Sequence, residues 1–364
     1  MPFAFKISAH NPFAAEVVSF FNATNDDINI VIDAFIHRAN QQNNLSALID
    51  LYHERQALFD QRNISKFLFV LNRIYAATKM TLGMNHLLVL KKLTERIKKE
   101  INQYTPEQLT DIVRAYIFLN AADERFLDLL AEACLKKIDQ FKQMPKKLVS
   151  ILFSFVLSGK KYHTLLSQGA SSVSSHLKRY SAGDLADLYW AYNVFDLNQW
   201  VESVGYYIFY QTQPQDYRPQ ALLKIYHATL ISDIEIPDHF QSAINVVLTQ
   251  MQAHTEITSS KFHKKIESLL LKQQLKFESE YFLDGFRLDL AIPEFGIAIE
   301  PAGRVFHYNA NGYEKAKDII RSKILKKLGW RVFNIDSSNW AKMNLEKQEQ
   351  FIKQLSKQVR DLMQ

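Results

Sequence analysis

The 364-residue chain is 47% hydrophobic and 12% aromatic with a formal net charge of +6, enough apolar material for a sizeable core, which excludes a disordered chain. Ten Gly and nine Pro are few for this length and disfavour an all-β sandwich or barrel, while the single cysteine, Cys134, excludes an intramolecular disulfide framework and a Cys-rich zinc site. No uninterrupted apolar run reaches the roughly 18 to 20 residues of a membrane-spanning helix, so a soluble protein without a membrane partner is expected.

The stretch Met1 to Val18 carries Lys6 as its only Lys or Arg and lacks both the tripartite pattern of a secretory signal and the Arg-rich character of a transit peptide. The expectation is a cytoplasmic protein: in a bacterial cytosol, or delivered to a host cell or organelle. Helical patterning follows from Asn11 to Arg55, with Leu45, Leu48 and Tyr52 in phase. Residues 1–62 therefore read as an amino-terminal helical cap or partial repeat.

Residues 63–258 contain an internal repeat. Thr105-Pro106-Glu107-Gln108-Leu109, Met144-Pro145-Lys146-Lys147-Leu148, Ser181-Ala182-Gly183-Asp184-Leu185 and Arg218-Pro219-Gln220-Ala221-Leu222 recur at a spacing typical of helical-hairpin units. Each is a helix start, with Pro early in the helix or Thr105 or Ser181 as cap. After the anchor leucine come Ile112, Ile151, Leu188 and Ile225, then a small residue at Ala115, Ser154, Ala191 and Ala228, then Tyr116, Phe155, Tyr192 and Thr229. A further copy near Ile64 places Leu68, Leu71 and Tyr75 in register, with Ile74 at the small position. This spacing predicts one apolar stripe per helix. A second helix follows in each unit, for example over Phe126–Phe141.

Positions two and five after the anchor lie off that stripe. They hold Asp111 and Arg114, Ser150 and Phe153, Asp187 and Trp190, Lys224 and His227, with Val70 and Arg73 in the first copy. Varied polar, cationic and aromatic groups in a row suit base edges and base faces of RNA. The Leu-x-x-Ile-x-x-Ala-Tyr pattern over about 64–250 resembles octotricopeptide repeats and the helical segments of FAST-kinase-like proteins. The resemblance implies RNA binding and RNA processing or stabilisation. Helix-pair repeats also bind proteins along their grooves, so a protein-interaction solenoid is an alternative.

The pattern changes near Ser259, and residues 259–364 read as a small α/β domain. Helices are expected over Lys261–Gln274, Gly312–Leu328 and Asn344–Met363, with strands over Tyr281–Ile292, Gly296–Glu300 and Trp330–Ile335. From Lys261 onward there are 19 Lys and Arg against 13 Asp and Glu, while the rest of the chain is balanced. Positive charge concentrated at one end fits a phosphate partner. Arg304, Lys315, Arg321, Lys323, Lys326, Lys327 and Arg331 are candidates for phosphate contact, and Tyr308 and Trp330 for stacking on bases.

Phe286-Arg-Leu-Asp-Leu-Ala-Ile-Pro293, Ile297-Ala-Ile-Glu-Pro-Ala-Gly303, His307-Tyr308, Lys323 to Lys327, Leu328-Gly-Trp-Arg-Val332 and Trp340 resemble a RAP domain over nearly the whole module. The resemblance implies a restriction-endonuclease-like fold and an association with RNA. The expected architecture is thus mainly α: a helical-hairpin repeat solenoid followed by a small α/β RAP-like domain.

The same residues raise a second reading, a Mg²⁺-dependent RNA endonuclease. Asp289 and Glu300, with Glu267 from the preceding helix, are the candidate metal ligands, and His307 a further catalytic candidate. Related nucleases place Lys or an acid two residues after the glutamate, whereas this chain has Ala302, which neither binds metal nor moves a proton. The preferred expectation is a sequence-selective single-stranded RNA binder needing no cofactor, with other RNA-processing proteins as possible partners. A phosphate-binding Gly-rich loop and a kinase motif set are both absent, so no nucleotide cofactor is expected.

Overall fold

The first helix of each hairpin begins where the sequence places a capping residue or an early proline. The computed structural model describes residues 25–78, 80, 82–254, 260–302 and 307–364. The chain divides into two compact units, Met1–Leu119 and Asn120–Gln364.

The first unit contains α1 (Asn25–Gln41), α2 (Leu45–Arg55), α3 (Gln61–Thr78), α4 (Met84–Glu100) and α5 (Pro106–Phe118). Thr105 caps α5 reciprocally: its Oγ1 accepts from Gln108 N while Gln108 Oε1 accepts from Thr105 N at 2.8 Å. The expected stripe is the core, with Leu68, Leu71, Ile74, Leu109, Ile112, Ala115 and Tyr116 fully buried. Tyr116 keeps its hydroxyl satisfied by donating to Leu90 O at 2.9 Å.

The second unit opens with α6 (Glu124–Lys136), α7 (Ile138–Lys142), α8 (Pro145–Leu157), α9 (His163–Ser174), α10 (Ala182–Val194), α11 (Asn198–Gln211), α12 (Pro219–Ile231) and α13 (Asp238–His254). The single helix expected over Phe126–Phe141 is broken at Lys137, and the break brings both Ile138 and Phe141 into the core. The stripes at Leu148, Ile151, Ser154 and Phe155, at Leu185, Leu188, Ala191 and Tyr192, and at Leu222, Ile225, Ala228 and Thr229 are all buried. Small residues allow close helix approach in the second helices too: a Cβ at Gly205 would stand 2.5 Å from Ile234 Cδ1.

The α/β module consists of α14 (Lys261–Lys272), β1 (Glu278–Leu283), β2 (Phe286–Ile292), β3 (Ile297–Ala302), α15 (Ala316–Lys327), β4 (Arg331–Asp336), α16 (Ser337–Ala341) and α17 (Leu345–Leu362). The sheet order is β1-β2-β3-β4, antiparallel except for the parallel β3–β4 pair that α15 connects. The single strand expected over Tyr281–Ile292 is instead a hairpin. Asp284 and Gly285 turn it with φ of 49° and 85°, the Asp-Gly signature of a two-residue hairpin turn. Ile297 and Ile299 face the core formed with α14, α17 and Trp340, while Ala298 packs on the opposite face with Leu325 of α15. Glu300, two residues beyond Ala298, shares that face. Among the described residues no helix is long and apolar enough to cross a membrane.

Within this unit the module is fastened to the ends of successive repeat helices. Lys323 Nζ donates to Asn193 O at 3.0 Å, to Val194 O at 2.8 Å and to Asp196 Oδ1 at 2.7 Å, at the end of α10. One turn later Lys327 Nζ donates to Ile231 O at 2.8 Å, beside Asp233, at the end of α12. Asn309 Nδ2 donates to Ser158 O at the end of α8, and Asn311 Nδ2 to Ala122 O before α6. Helix carboxyl ends carry unpaired carbonyls and the negative pole of the helix dipole, so a lysine there is doubly favoured. Gly159 is required at this junction: its φ is 76°, and a Cβ would lie 2.2 Å from Glu314 O.

Candidate nucleic-acid interface

Helix α15 divides its polar residues between two directions. Lys323 and Lys327, spaced i and i+4, face the repeats as described, while Arg321, Ser322, Leu325 and Lys326 line a cavity of about 480 Å³. The cavity is completed by Trp330, by Val332, Asn334 and Asp336 along β4, by His307, Tyr308 and Glu314 from the preceding segment, and by Asp318 of α15. The rings of Tyr308 and Trp330, the cation of Lys326, Arg321 held by Glu300, Asn334 and the carboxylates of Glu314, Asp318 and Asp336 thus share one concave surface. Trp330 is braced from behind by Tyr281, with ring centroids 5.8 Å apart. His307 Nδ1 lies 3.0 Å from Asp318 Oδ1, which fixes the ring at the cavity wall. Lys326 and Arg331 are exposed.

Residues 303–355 match the sequence model of the RAP domain. The chain carries a RAP domain. RAP domains are generally associated with RNA binding. The matched segment contains every residue that lines the cavity. Of the expected RNA contacts in this segment, Tyr308 lies in the cavity and Arg331 is exposed, while Lys323 and Lys327 hold the RAP domain on the repeats. Arg304 lies outside the described residues.

The expected nuclease carboxylates sit just before the matched segment. Strand register sets Asp289 beside Glu300, and Asp289 N donates to Glu300 Oε1 at 3.4 Å. Glu300 is buried and receives Arg321 NH2 at 2.7 Å, so a guanidinium neutralises the carboxylate that Mg²⁺ would need. Glu267 is turned away, accepting from Ser279 Oγ at 2.5 Å. Asp289, Glu300 and Glu267 therefore do not fit a shared Mg²⁺, and His307 is engaged with Asp318. Burial, followed by the carboxylates of Glu300 and Glu280, pushes the Asp289 carboxyl up to about 7, with Arg321 opposing. Sequence reasoning missed Glu280 and His263, both of which adjoin Asp289. Recognising Asp284-Gly285 as a turn would have paired Glu280 with Asp289.

The residues expected to read bases take three kinds of place. Arg73 and Arg114, in the first unit, are exposed, and Asp111 and Ser150 are half-buried. In the second unit Phe153, Asp187, Trp190 and Lys224 converge on one another. Lys224 Nζ meets Asp187 Oδ1 at 2.6 Å and lies 4.6 Å over the Phe153 ring, which is 5.8 Å from the Trp190 ring. Burial holds the Asp187 carboxyl above its usual range despite Lys224. His227 is buried beneath the β1–β2 turn, stacked on Phe286 at 4.2 Å and paired through Nε2 with Asp284 O at 2.8 Å. Within the second unit, neighbouring repeats thus use Phe153, Asp187, Trp190 and Lys224 to grip each other, and His227 seats the β1–β2 turn of the α/β module.

Proposed function

We propose that this RAP-domain protein binds single-stranded RNA in RNA processing or stability, with an unstacked base against Trp330 and Tyr308 and adjacent phosphates on Lys326 and Arg331. The supporting observation is the cavity itself: a concave surface inside the RAP match that joins aromatic faces to cations and hydrogen-bonding side chains. Aromatic rings stack on any base, and flanking cations track the backbone, a combination suited to single strands and not to a base-paired helix. Exposed Arg73 and Arg114 on the first unit supply further contacts of the kind the repeats suggest.

The test is fluorescence anisotropy of a labelled randomised RNA pool across salt concentrations, with duplex RNA as competitor and Mg²⁺ present or chelated. The reading expects intact RNA whose affinity falls with salt. Lys326→Ala lowers the slope of log K against log salt by about 0.7, one phosphate contact on a single strand. Trp330→Ala, checked for folding by circular dichroism, weakens binding by about 1–3 kcal/mol, the value of one stacked base. An affinity that ignores salt, or a duplex that competes as well as the single strand, overturns the reading. Absence of any RNA binding leaves the protein-interaction solenoid.

A further inference from the structure

His263 stands in the first turn of α14, where Ser260 caps the helix by accepting from His263 N at 3.1 Å. Its side chain is 5% exposed. Among the described residues the imidazole makes no hydrogen bond: Nε2 is buried without a partner, and Nδ1 lies 3.8 Å from both Glu280 Oε1 and Asp289 Oδ1. That separation is too long for a hydrogen bond. Nδ1 is thus a buried ring nitrogen aimed at two carboxylates without a hydrogen bond to either, an arrangement that an ion between them would satisfy.

The three side chains offer one donor atom each within 4.8 Å of one another, and they come from three different elements, α14, β1 and β2. Donors about 2.0–2.2 Å from a tetrahedral ion stand about 3.4 Å apart, so the 3.8 Å separations of Nδ1 from each carboxylate close by about 0.4 Å around the ion, and any donor pair in the group by no more than about 1.4 Å. We propose that His263, Glu280 and Asp289 bind a divalent transition-metal ion of the zinc or manganese class, leaving further coordination positions for water. The ligand set defines the class: imidazole with carboxylate suits zinc, and the two carboxylates also suit manganese, whereas Mg²⁺ favours an all-oxygen shell with several waters. The half-buried carboxylates of Glu280 and Asp289 both face the His263 ring, each 3.8 Å from Nδ1.

None of the three ligands lines the cavity, although Asp289 borders the Glu300–Arg321 pair, and occupancy of the site is independent of the RNA reading. Bound there, the ion ties α14 to the first two strands of the sheet and stabilises the α/β module.

The full-length protein, stripped with chelator and dialysed, is titrated without RNA with Zn²⁺, Mn²⁺ and Mg²⁺ by calorimetry, and the melting temperature is followed in parallel. The expected result is one equivalent of Zn²⁺ or Mn²⁺ bound, with a raised melting temperature and far weaker Mg²⁺ binding. Glu280→Gln and Asp289→Asn each weaken it by more than about 100-fold, beyond the range for losing an outer-shell partner alone. Glu267→Gln leaves it unchanged. Should both ligand variants unfold, Co²⁺ added to the wild type decides the matter: visible d–d bands of a low-coordinate site support the proposal. A wild type that binds no stoichiometric metal, or ligand variants that bind as the wild type does, overturns it.

Discussion

The repeats of the second unit and the RAP domain both carry aromatic and charged residues, but they use them in opposite ways. In the repeats Phe153, Asp187, Trp190 and Lys224 turn toward one another, so a row of apparent contact residues is consumed in joining consecutive helices. In the RAP domain Tyr308, Trp330 and Lys326 line a concave surface. The difference teaches that periodic placement of reactive side chains identifies a shared structural position, while their exposure depends on what packs against that position. Here α15 packs against α8, α10 and α12.

The largest expected effect tests whether His227 belongs to packing. Burial depresses its imidazole to about 4 from 6.5, so between those values the unfolded chain binds a proton that the folded chain does not. Stability is therefore complete above about pH 6.5 and is lost as pH falls toward 4, by at most about 3 kcal/mol. Urea denaturation across this window should show that loss in the wild type and a flatter profile in His227→Gln. An unaltered profile in the variant would remove His227 from the packing side of the comparison.

A smaller effect is expected at the junction. Lys323→Ala removes three hydrogen bonds at the end of α10 and should cost about 1–2 kcal/mol in urea denaturation, with Lys327→Ala costing less because Lys327 is more exposed. A loss of RNA affinity in Lys323→Ala without loss of stability would return this lysine to the phosphate contacts.

The smallest expected effect is the sharpest for the comparison. Phe153→Ala should leave RNA affinity within about a factor of two, because losing a ring already covered by Lys224 and Trp190 removes no stacking surface. A drop as large as that of Trp330→Ala would erase the contrast between the two regions.

The legibility of the sequence follows the same division. The apolar stripes were readable because helical periodicity is local: Leu109, Ile112, Ala115 and Tyr116 are fully buried as their spacing requires. The α/β order was readable in outline, but Asp284-Gly285 was absorbed into a long strand, and with it went the position of Glu280 beside Asp289. The roles of Lys323, Lys327 and His227 were not readable, since each depends on a partner more than 50 residues away. Charge alone made Lys323 and Lys326 equivalent; helix phase and docking separate them.

The central claim is that RNA is held by the RAP-domain cavity, and ultraviolet crosslinking of the full chain to single-stranded RNA, read by mass spectrometry, tests it most directly. The account predicts crosslinked nucleotides on Tyr308 or Trp330. Crosslinks confined to Phe153, Trp190 or other repeat residues of the second unit would contradict it.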